Sequence, residues 1–251
     1  MSNEFKLRKE LLHRLAGAQH VMVLTGAGMS AESGIPTFRD AQSGIWAKYR
    51  PEDLATPEAF EADPARVWNW YESRRASVVE AQPHAGHHAL ALMEKRLPSL
   101  RVVTQNVDGL HQAAGSTGVC ELHGNILRSK CHVSHRQISR EWLLDSNHTP
   151  PRSPYVKHGL ARPDVVWFGE VLPQKEIDAA MASAARCDFC FSIGTTSLVH
   201  PAASLPMMAL EHGAALVEIN PLDTPLSSHA DQCLRGKASE VLTSIIEQLD
   251  G

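Results

Sequence analysis

The sequence predicts an α/β protein with a Rossmann-like, doubly wound parallel sheet and a second, smaller lobe inserted into it. Four short apolar runs each end in small or polar residues: "HVMVLTGAG", "RVVTQNVDGL", "CDFCFSIGTTS" and "AALVEINP". Helical patterns such as "GHHALALMEKRL" and "HPAASLPMMALEHG" lie between them. Alternation of strands and helices is typical of a parallel sheet with helices on both faces.

Two stretches interrupt this alternation and predict the smaller lobe. Residues 39–78 are helical in pattern and rich in Trp, and residues 127–164 are rich in Pro, His and Ser. We therefore expect a Rossmann-like domain from three segments, 1–38, 79–126 and 165–251. The N-terminal "NEFKLRKELLHRLAGA" has leucines at helical spacing with charges between them, which indicates an amphipathic surface helix and not a secretory signal.

The composition excludes several classes of function. The net charge is −4 and there is no block of Lys and Arg, so nothing favours binding to nucleic acid. No apolar run approaches the ~18 residues of a membrane span. We expect a cytoplasmic protein that does not enter membranes, whose five cysteines are reduced thiols or metal ligands.

A glycine-rich turn follows the first predicted strand. In "TGAGMSAESGIPTFRD" the glycines are Gly26, Gly28 and Gly34. Glycines let a backbone approach a phosphate, and the start of a helix favours its negative charge. The spacing is not a regular G-x-G-x-x-G, so a tight connection between strand and helix is an equal alternative.

Polar residues also end the next predicted strand. Gln105, Asn106 and Asp108 in "TQNVDGLH" suit hydrogen bonding to a ligand at the carboxyl edge of the sheet, although Asp108 could instead cap a helix. His123 follows in the short polar turn "ELHGN". It is either structural or a general base that works near neutral pH.

A helix that begins at Asp63-Pro64 carries a mixed stripe. Val67, Tyr71, Arg74 and Val78 fall on one face, at steps of four, three and four residues. An arginine that faces inward needs an anion. The sequence leaves two possibilities: an internal carboxylate, such as Glu58 or Glu61, or an anionic group that the protein binds.

Taken together, the motifs resemble those of the sirtuins, a family of NAD-dependent protein deacylases. The segments "GAGMSAESGIPTFR", "TQNVDGLH", "ELHGN", "RPDVVWFGE", "IGTTSLVHPAA" and "VEIN" occur in the sirtuin order and at sirtuin distances. The resemblance covers roughly residues 10 to 245. It implies that NAD is consumed as a co-substrate, that acylated lysines of other proteins are the substrates, and that the products are free lysine, nicotinamide and an O-acyl-ADP-ribose.

The resemblance also implies roles for individual residues. The catalytic residues would be His123, as general base, and Asn106. The NAD-binding residues would be Gly26, Ala27, Gly28, Glu32, Thr37, Phe38, Arg39, Gln105, Asn106, Asp108, Gly194, Thr195, Thr196, Asn220 and Ala238. The segment "VVWFGE", which includes Val166, Trp167, Phe168 and Gly169, would pair with the substrate peptide as a strand.

A subset of sirtuins, called class III, carries Tyr-x-x-Arg on a small-lobe helix and binds the carboxylate of succinyl- or malonyl-lysine. Tyr71 and Arg74 match this pattern, and Ala55 would widen the acyl pocket. The resemblance therefore implies a desuccinylase or demalonylase. The alternatives are a general deacetylase, an NAD hydrolase or ADP-ribosyltransferase, and a non-catalytic NAD sensor, against which the intact His123 argues.

The chain departs from the family at its structural zinc site. Most sirtuins have two C-x-x-C pairs, but here the first retains only Cys131, with Ser134 as its second member, and the second falls at Pro154 and Lys157. We expect the zinc site to be lost, with rescue by neighbouring histidines as the alternative. The rescuing ligands would be Cys131, His132, His135, His148 and His158. The literal C-x-x-C, Cys187 and Cys190, falls on a predicted strand and should be buried and structural.

Overall fold

The computed structural model describes residues 5–35 and 50–250, in which nine strands and ten α-helices are present. The strands are β1 (Val21–Thr25), β2 (Leu100–Thr104), β3 (Val119–Glu121), β4 (Gly124–Cys131), β5 (Gln137–Ile138), β6 (Ala161–Val165), β7 (Phe189–Ile193), β8 (Ala215–Ile219) and β9 (Gln232–Leu234). The helices are α1 (Lys9–Gly17), α2 (Pro51–Leu54), α3 (Pro57–Ala62), α4 (Pro64–Glu80), α5 (Ala85–Arg96), α6 (Leu110–Ala113), α7 (Arg140–Leu144), α8 (Gln174–Arg186), α9 (Leu205–Glu211) and α10 (Ala238–Asp250).

Six of the strands form one parallel sheet in the order β3-β2-β1-β7-β8-β9. From β1 the chain builds outward to β3, and from β7 it builds outward in the opposite direction to β9. The two central strands are in register, so that Val23 lies opposite both Val102 and Phe191. The predicted α/β, doubly wound sheet is therefore confirmed, and its topological switch point lies between β1 and β7.

Helices cover both faces of this sheet, which explains why its central strands are apolar at nearly every position. On one face α1, α5 and α10 contribute Leu15, Leu90 and Val241 to a single buried cluster. On the other face α8 and α9 contribute Ala180 and Ala209, whose small side chains allow close packing. The predicted N-terminal helix is confirmed as α1. Within the described residues, no helix is both long enough and apolar enough to cross a membrane.

The remaining three strands form a small antiparallel sheet in the order β5-β4-β6. Its entry point requires a glycine: Gly124 has φ of 79°, and a Cβ atom there would lie 2.2 Å from the carbonyl oxygen of Asp164. Helix α4 packs against this sheet and begins as predicted, because the Asp63 side chain accepts a hydrogen bond from the Arg66 N–H at 3.0 Å. The division into domain segments stays a prediction.

Candidate active site

The glycine-rich turn after β1 packs against the turn after β7. The Gly28 N–H donates to the Gly194 carbonyl at 2.8 Å, and Gly194 adopts φ of 59°. A Cβ atom on Gly28 would lie 2.8 Å from the Gly194 Cα, and one on Gly26 would lie 2.9 Å from the Gly194 carbonyl oxygen. The close approach that these glycines permit within the protein is therefore one of backbone to backbone, across the switch point of the sheet.

Polar side chains from the ends of β2, β7 and β8 meet beside these turns. The Gln105 Nε2 donates to the Thr195 Oγ1 at 3.1 Å, and the Asn220 Nδ2 donates to the Thr195 carbonyl at 2.8 Å. The Asn106 Nδ2 donates to the Gly26 carbonyl at 3.0 Å. Residues expected from four separate motifs are thus brought together at the carboxyl edge of the sheet, where open α/β folds bind ligands.

Ser30 joins this group and is absent from the residues expected from the sequence. Its hydroxyl donates to the Asp108 Oδ2 at 2.7 Å and accepts from the Asn106 Nδ2 at 3.0 Å. Asp108 also accepts the Leu110 N–H at 2.9 Å, so the capping alternative is correct in part. Burial raises the pKa of the Asp108 carboxyl above its ordinary value, although these hydrogen bonds oppose the shift.

His123 has a defined tautomer. Its Nδ1 lies 3.0 Å from the Gln105 carbonyl oxygen, which can only accept, so the Nδ1 of neutral His123 carries the proton and its Nε2 is a proton acceptor. Burial lowers the pKa of the imidazole, and the hydrogen bond to Gln105 opposes that effect. A neutral imidazole with a free Nε2 has the form that a general base requires.

Other residues expected at this site lie around its edge. Glu32 accepts the Ser239 N–H at 3.1 Å, next to Ala238 at the start of α10. Ala27 lies in the single 3₁₀ turn Ala27–Met29, and the Thr196 Oγ1 accepts the Leu198 N–H at 3.3 Å. Three further residues of the expected set lie outside the described residues: Thr37, Phe38 and Arg39.

The mixed stripe of α4 faces the junction between the two sheets. Tyr71 is buried, and its hydroxyl accepts a hydrogen bond from the Trp167 Nε1 at 3.0 Å. The Arg74 guanidinium lies 5.2 Å from the centroid of the Trp70 ring, and burial lowers the pKa of Arg74. Ala55 is buried in the same cluster as Tyr71 and Trp167.

The internal carboxylates considered as partners of Arg74 are both on the surface. Glu58 and Glu61 are exposed on α3, whereas Tyr71, Val67 and Val78 of the stripe are buried. Both possibilities raised by the stripe, an internal carboxylate and a bound anionic group, stay open.

The segment expected to pair with a peptide is not a strand in this structure. Strand β6 ends at Val165, and the chain then turns, with the Val166 N–H donating to the His123 carbonyl at 2.9 Å. The Phe168 N–H donates to the Ala55 carbonyl at 2.9 Å, and Gly169 has φ of 85°. These hydrogen bonds bend the backbone after β6, and the pairing of residues 165–170 with a substrate peptide stays a prediction.

A buried ion pair, which sequence reasoning missed, holds this bend. The Arg162 side chain is only 3% exposed, donates to Glu170 at 2.6 and 2.9 Å, and lies 3.2 Å from the centroid of the Trp167 ring. Glu170 in turn accepts the Trp167 N–H at 2.8 Å. The motif "RPDVVWFGE" begins with Arg162 and ends with Glu170, so the presence of both charges in one short motif was the signal from which the ion pair could have been predicted.

The degenerate zinc segment folds around Cys131 by other means. The buried Cys131 thiol accepts the Ser134 N–H at 3.4 Å and a hydrogen bond from the Ser153 side chain. Burial raises the pKa of this thiol, but the hydrogen bonds outweigh it and the pKa is lowered. Val156 packs on the cluster that contains Cys131 and Trp68. Ser153 and Val156, each one residue before the approximate positions expected for the second pair, lie against Cys131 and its cluster.

This donor set does not fit a structural zinc. Ser134, Ser153 and Val156 stand in place of three thiolates, and the His132 Nδ1 is already an acceptor for the Leu160 N–H at 2.9 Å. Among residues 5–35 and 50–250, no group of three or more His, Cys, Asp and Glu is arranged to hold a metal ion. Cys190 lies within β7, whereas Cys187 precedes this strand. Both are buried in one apolar cluster, which confirms their structural interpretation.

Comparison with known proteins shows the family to which the chain belongs. The profile of the Sir2 family matches residues 26–201, so the chain belongs to the Sir2 family. The chain is 46% identical to NAD-dependent protein deacylase 1 of Pseudomonas aeruginosa over 247 residues, covering 96% of this chain and 98% of that one. It is 52% identical to NAD-dependent protein deacylase 1 of Caldanaerobacter subterraneus over 228 residues, which covers 90% and 91%.

Solved structures agree with this assignment. The crystal structure of a Sir2 homologue in complex with NAD superposes with a TM-score of 0.89 at 42% identity, covering 100% of this chain and 96% of that one. A complex of Sir2 with a p53 peptide and NAD+ superposes with a TM-score of 0.84 at 30% identity, covering 97% and 98%. The predicted sirtuin resemblance is confirmed.

Proposed function

We propose that the protein removes acyl groups from lysine side chains of other proteins with NAD as co-substrate, and that it prefers succinyl and malonyl groups while also accepting acetyl. The observation that carries the acyl preference is the proximity of Arg74 to Tyr71 on α4, where Tyr71 belongs to the buried cluster that contains Ala55 and Trp167. A phenol and a guanidinium together suit a carboxylate, because both donate hydrogen bonds and the guanidinium is always charged.

The relatives support the deacylase part of this proposal. The similar bacterial proteins are called NAD-dependent protein deacylases, and one similar solved structure contains both a peptide and NAD+. An NAD hydrolase or ADP-ribosyltransferase would have no use for a carboxylate-binding acyl pocket. A general deacetylase would gain nothing from a charged side chain on the inner face of α4.

The donor and acceptor set at the sheet edge fits a dinucleotide. Gly26, Ala27 and Gly28 would lie along its phosphates, while Gln105, Asn106 and Asp108 would hold its nicotinamide and ribose half. The edge groups Thr196, Asn220 and Ala238 would hold its adenosine half. When bound, NAD supplies a ribose carbon that accepts the acyl oxygen as nicotinamide leaves.

The chain's own residues would contribute positioning and proton transfer. His123 presents a neutral Nε2, which would take the proton from a ribose hydroxyl, while the Gln105 carbonyl holds its Nδ1–H. The bend Val166–Gly169 would offer backbone groups to the substrate peptide, as peptide recognition by backbone pairing requires. Its hydrogen bonds to the His123 and Ala55 carbonyls tie the peptide site to both the base and the acyl pocket.

A comparison of matched peptides tests the proposal. One lysine peptide is prepared in acetyl, malonyl and succinyl forms and incubated with the protein and NAD, and products are followed by mass spectrometry. We expect free lysine peptide, nicotinamide and O-acyl-ADP-ribose, with higher kcat/KM for succinyl and malonyl. Equal values for the three peptides would leave a general deacylase, and nicotinamide without deacylated peptide would leave an NAD hydrolase.

We also expect the purified protein to contain no stoichiometric zinc. The hydrogen bonds to Cys131 and the packing of Val156 and Trp68 take the place of metal coordination in the small lobe. Elemental analysis of protein purified without chelator measures the metal content, and thermal unfolding with and without chelator measures its effect on stability. About one zinc per chain, with a Tm that falls on chelation, would mean that histidines have replaced the missing ligands.

A further inference from the structure

A line of buried polar side chains runs beneath the candidate active site. The Asn106 N–H donates to the Thr104 Oγ1 at 3.0 Å, and the Thr25 Oγ1 lies 2.8 Å from the same oxygen. The His111 Nε2 lies 3.0 Å from the Thr25 Oγ1. The line therefore leads from Asn106, at the sheet edge, to a histidine that is 1% exposed.

A second histidine continues the line. The His87 ring centroid lies 5.0 Å from that of His111, and His87 is fully buried. The His87 Nδ1 accepts the His84 N–H at 3.4 Å, in the capping box that begins α5. The His84 Nε2 lies 2.6 Å from the Met29 carbonyl, which ties this end of the line to the turn after β1.

The two histidine rings meet by packing. Their planes are tilted by 59°. Within the described residues, the His87 Nε2 and the His111 Nδ1 have no hydrogen-bond partner, so the hydrogen-bonded part of the line begins at the His111 Nε2.

The hydrogen bonds fix which nitrogen of each ring carries the proton. The His87 Nδ1 accepts from a backbone N–H, so neutral His87 carries its proton on Nε2. The Thr25 hydroxyl donates its one proton to Thr104, which also accepts the Asn106 N–H. The Thr25 oxygen can therefore only accept from His111, so neutral His111 carries its proton on Nε2.

Burial keeps both rings neutral, as this arrangement requires. It lowers the pKa of His87 to about 2 and that of His111 to about 4. Near neutral pH neither ring competes with the base His123 for protons. The two rings can still position the groups that they contact. Hydrogen bonds between buried groups are strong and reinforce one another.

We propose that His111 is a positioning residue for the reaction: packed against His87, it orients Thr25 and Thr104 and thereby holds the backbone of Asn106 in the nicotinamide and ribose site. The inference rests on the proposed function of Asn106. It goes beyond that function because the supporting side chains act through Asn106 and not by contact with substrate. They are His87, His111, Thr25 and Thr104. A displacement of a positioned group by about 1 Å can cost about 10²-fold in rate.

Two variants of His111 separate positioning from general stability. In His111→Gln the amide nitrogen takes the place of Nε2, which preserves the bond to Thr25. In His111→Asn the shorter side chain places its amide near the position of Nδ1, which loses the bond to Thr25. Both variants lose the ring contact with His87, and we expect a fall in Tm of about 2–4 °C for each.

Their activities should differ. We expect His111→Gln to keep kcat for acyl-peptide cleavage within about threefold of wild type, and His111→Asn to lose about tenfold to a hundredfold in kcat with little change in KM for NAD. Thr25→Val should behave like His111→Asn, and Thr25→Ser should keep most of the activity. His88 is exposed beside His87, so His88→Gln serves as the unaffected control. Equal kcat in the Gln and Asn variants would overturn the proposal.

Nuclear magnetic resonance supplies a readout that is independent of turnover. Long-range ¹H–¹⁵N spectra should show both His87 and His111 protonated at Nε2, and the Asn106 amide resonance should move in His111→Asn but not in His111→Gln. Protonation of His111 at Nδ1, or an unmoved Asn106 resonance, would refute the positioning of Asn106 by His111. If the wild-type protein cleaves no acyl-peptide, the proposed function fails, while these spectra still decide whether His111 positions Asn106.

Discussion

Replacement of His123 by alanine is expected to lower kcat for deacylation by about 10²–10⁴-fold, the usual contribution of a general base. The structure supplies the reason. The Gln105 carbonyl holds the Nδ1–H of His123, which leaves the Nε2 as the free proton acceptor, and burial keeps the ring neutral. Steady-state kinetics with saturating NAD and acyl-peptide measures the loss.

The same variant should still bind NAD, because His123 contributes no hydrogen bond to the turns after β1 and β7 within the described structure. Calorimetric titration with ADP-ribose checks that the site is intact, and thermal unfolding checks the fold. Near wild-type turnover in a folded, ligand-binding variant would remove His123 from the mechanism.

The pH dependence of kcat/KM should report the buried state of His123. A general base works only when neutral, so activity falls as pH drops through its pKa. Burial lowers that pKa from the ordinary value of about 6.5, and the hydrogen bond to Gln105 only partly opposes the shift. We expect the acidic limb to have its midpoint below about 6.5. A midpoint clearly above that value would mean that another group controls the limb.

Replacement of Arg74 by methionine should lower kcat/KM for succinyl- and malonyl-lysine by about tenfold to a hundredfold. A hydrogen bond to a charged group contributes about 1.5–3 kcal/mol. Acetyl-lysine has no carboxylate, so it makes no such hydrogen bond with Arg74 and loses none in the variant. Activity on acetyl-lysine should therefore change little. The measurement is kcat/KM for the three matched peptides with wild type and variant, and equal losses on all three would make Arg74 structural.

The neighbouring arginine provides a matched control on the same helix. The Arg75 side chain donates to the Ile126 carbonyl at 2.7 Å and pairs with Glu72, so its contacts are within the protein. Arg75→Met should lower stability and affect the three peptides equally. Tyr71→Phe should weaken succinyl activity less than Arg74→Met, and it also leaves the Trp167 Nε1 without its acceptor.

The sequence was sufficient for the parts of the fold that local patterns determine. Strand ends with small or polar residues predicted the carboxyl edge at which Gln105, Asn106 and Asn220 now meet, because parallel strands bring these ends to one side. Asp63 predicted the start of α4 because a cap acts on residues three positions away. The first argument depends on the topology of a parallel sheet, and the second depends on short-range geometry alone.

What the sequence did not predict depends on contacts between distant segments. Ser30 meets Asp108 across 78 residues, and Arg162 meets Glu170 only because the chain bends after β6. The contact of Ser153 with Cys131 lies one residue before the approximate position expected, since the loop between them has no periodicity that would fix its register. Buried polar residues such as Thr25 and His111 have no recognisable pattern in the sequence, because their roles depend on hydrogen bonds to residues that are distant in the chain.

The contact of the Gly28 and Gly194 backbones has a thermodynamic consequence for ligand binding. These turns are held against each other by a hydrogen bond of 2.8 Å in the protein alone, with no space for a methyl group between them. Their conformational entropy is thus lost when the chain folds and not when a dinucleotide arrives. Binding of a dinucleotide would then cost less conformational entropy at these two turns. More of the contact energy between the protein and the phosphates would appear as binding affinity.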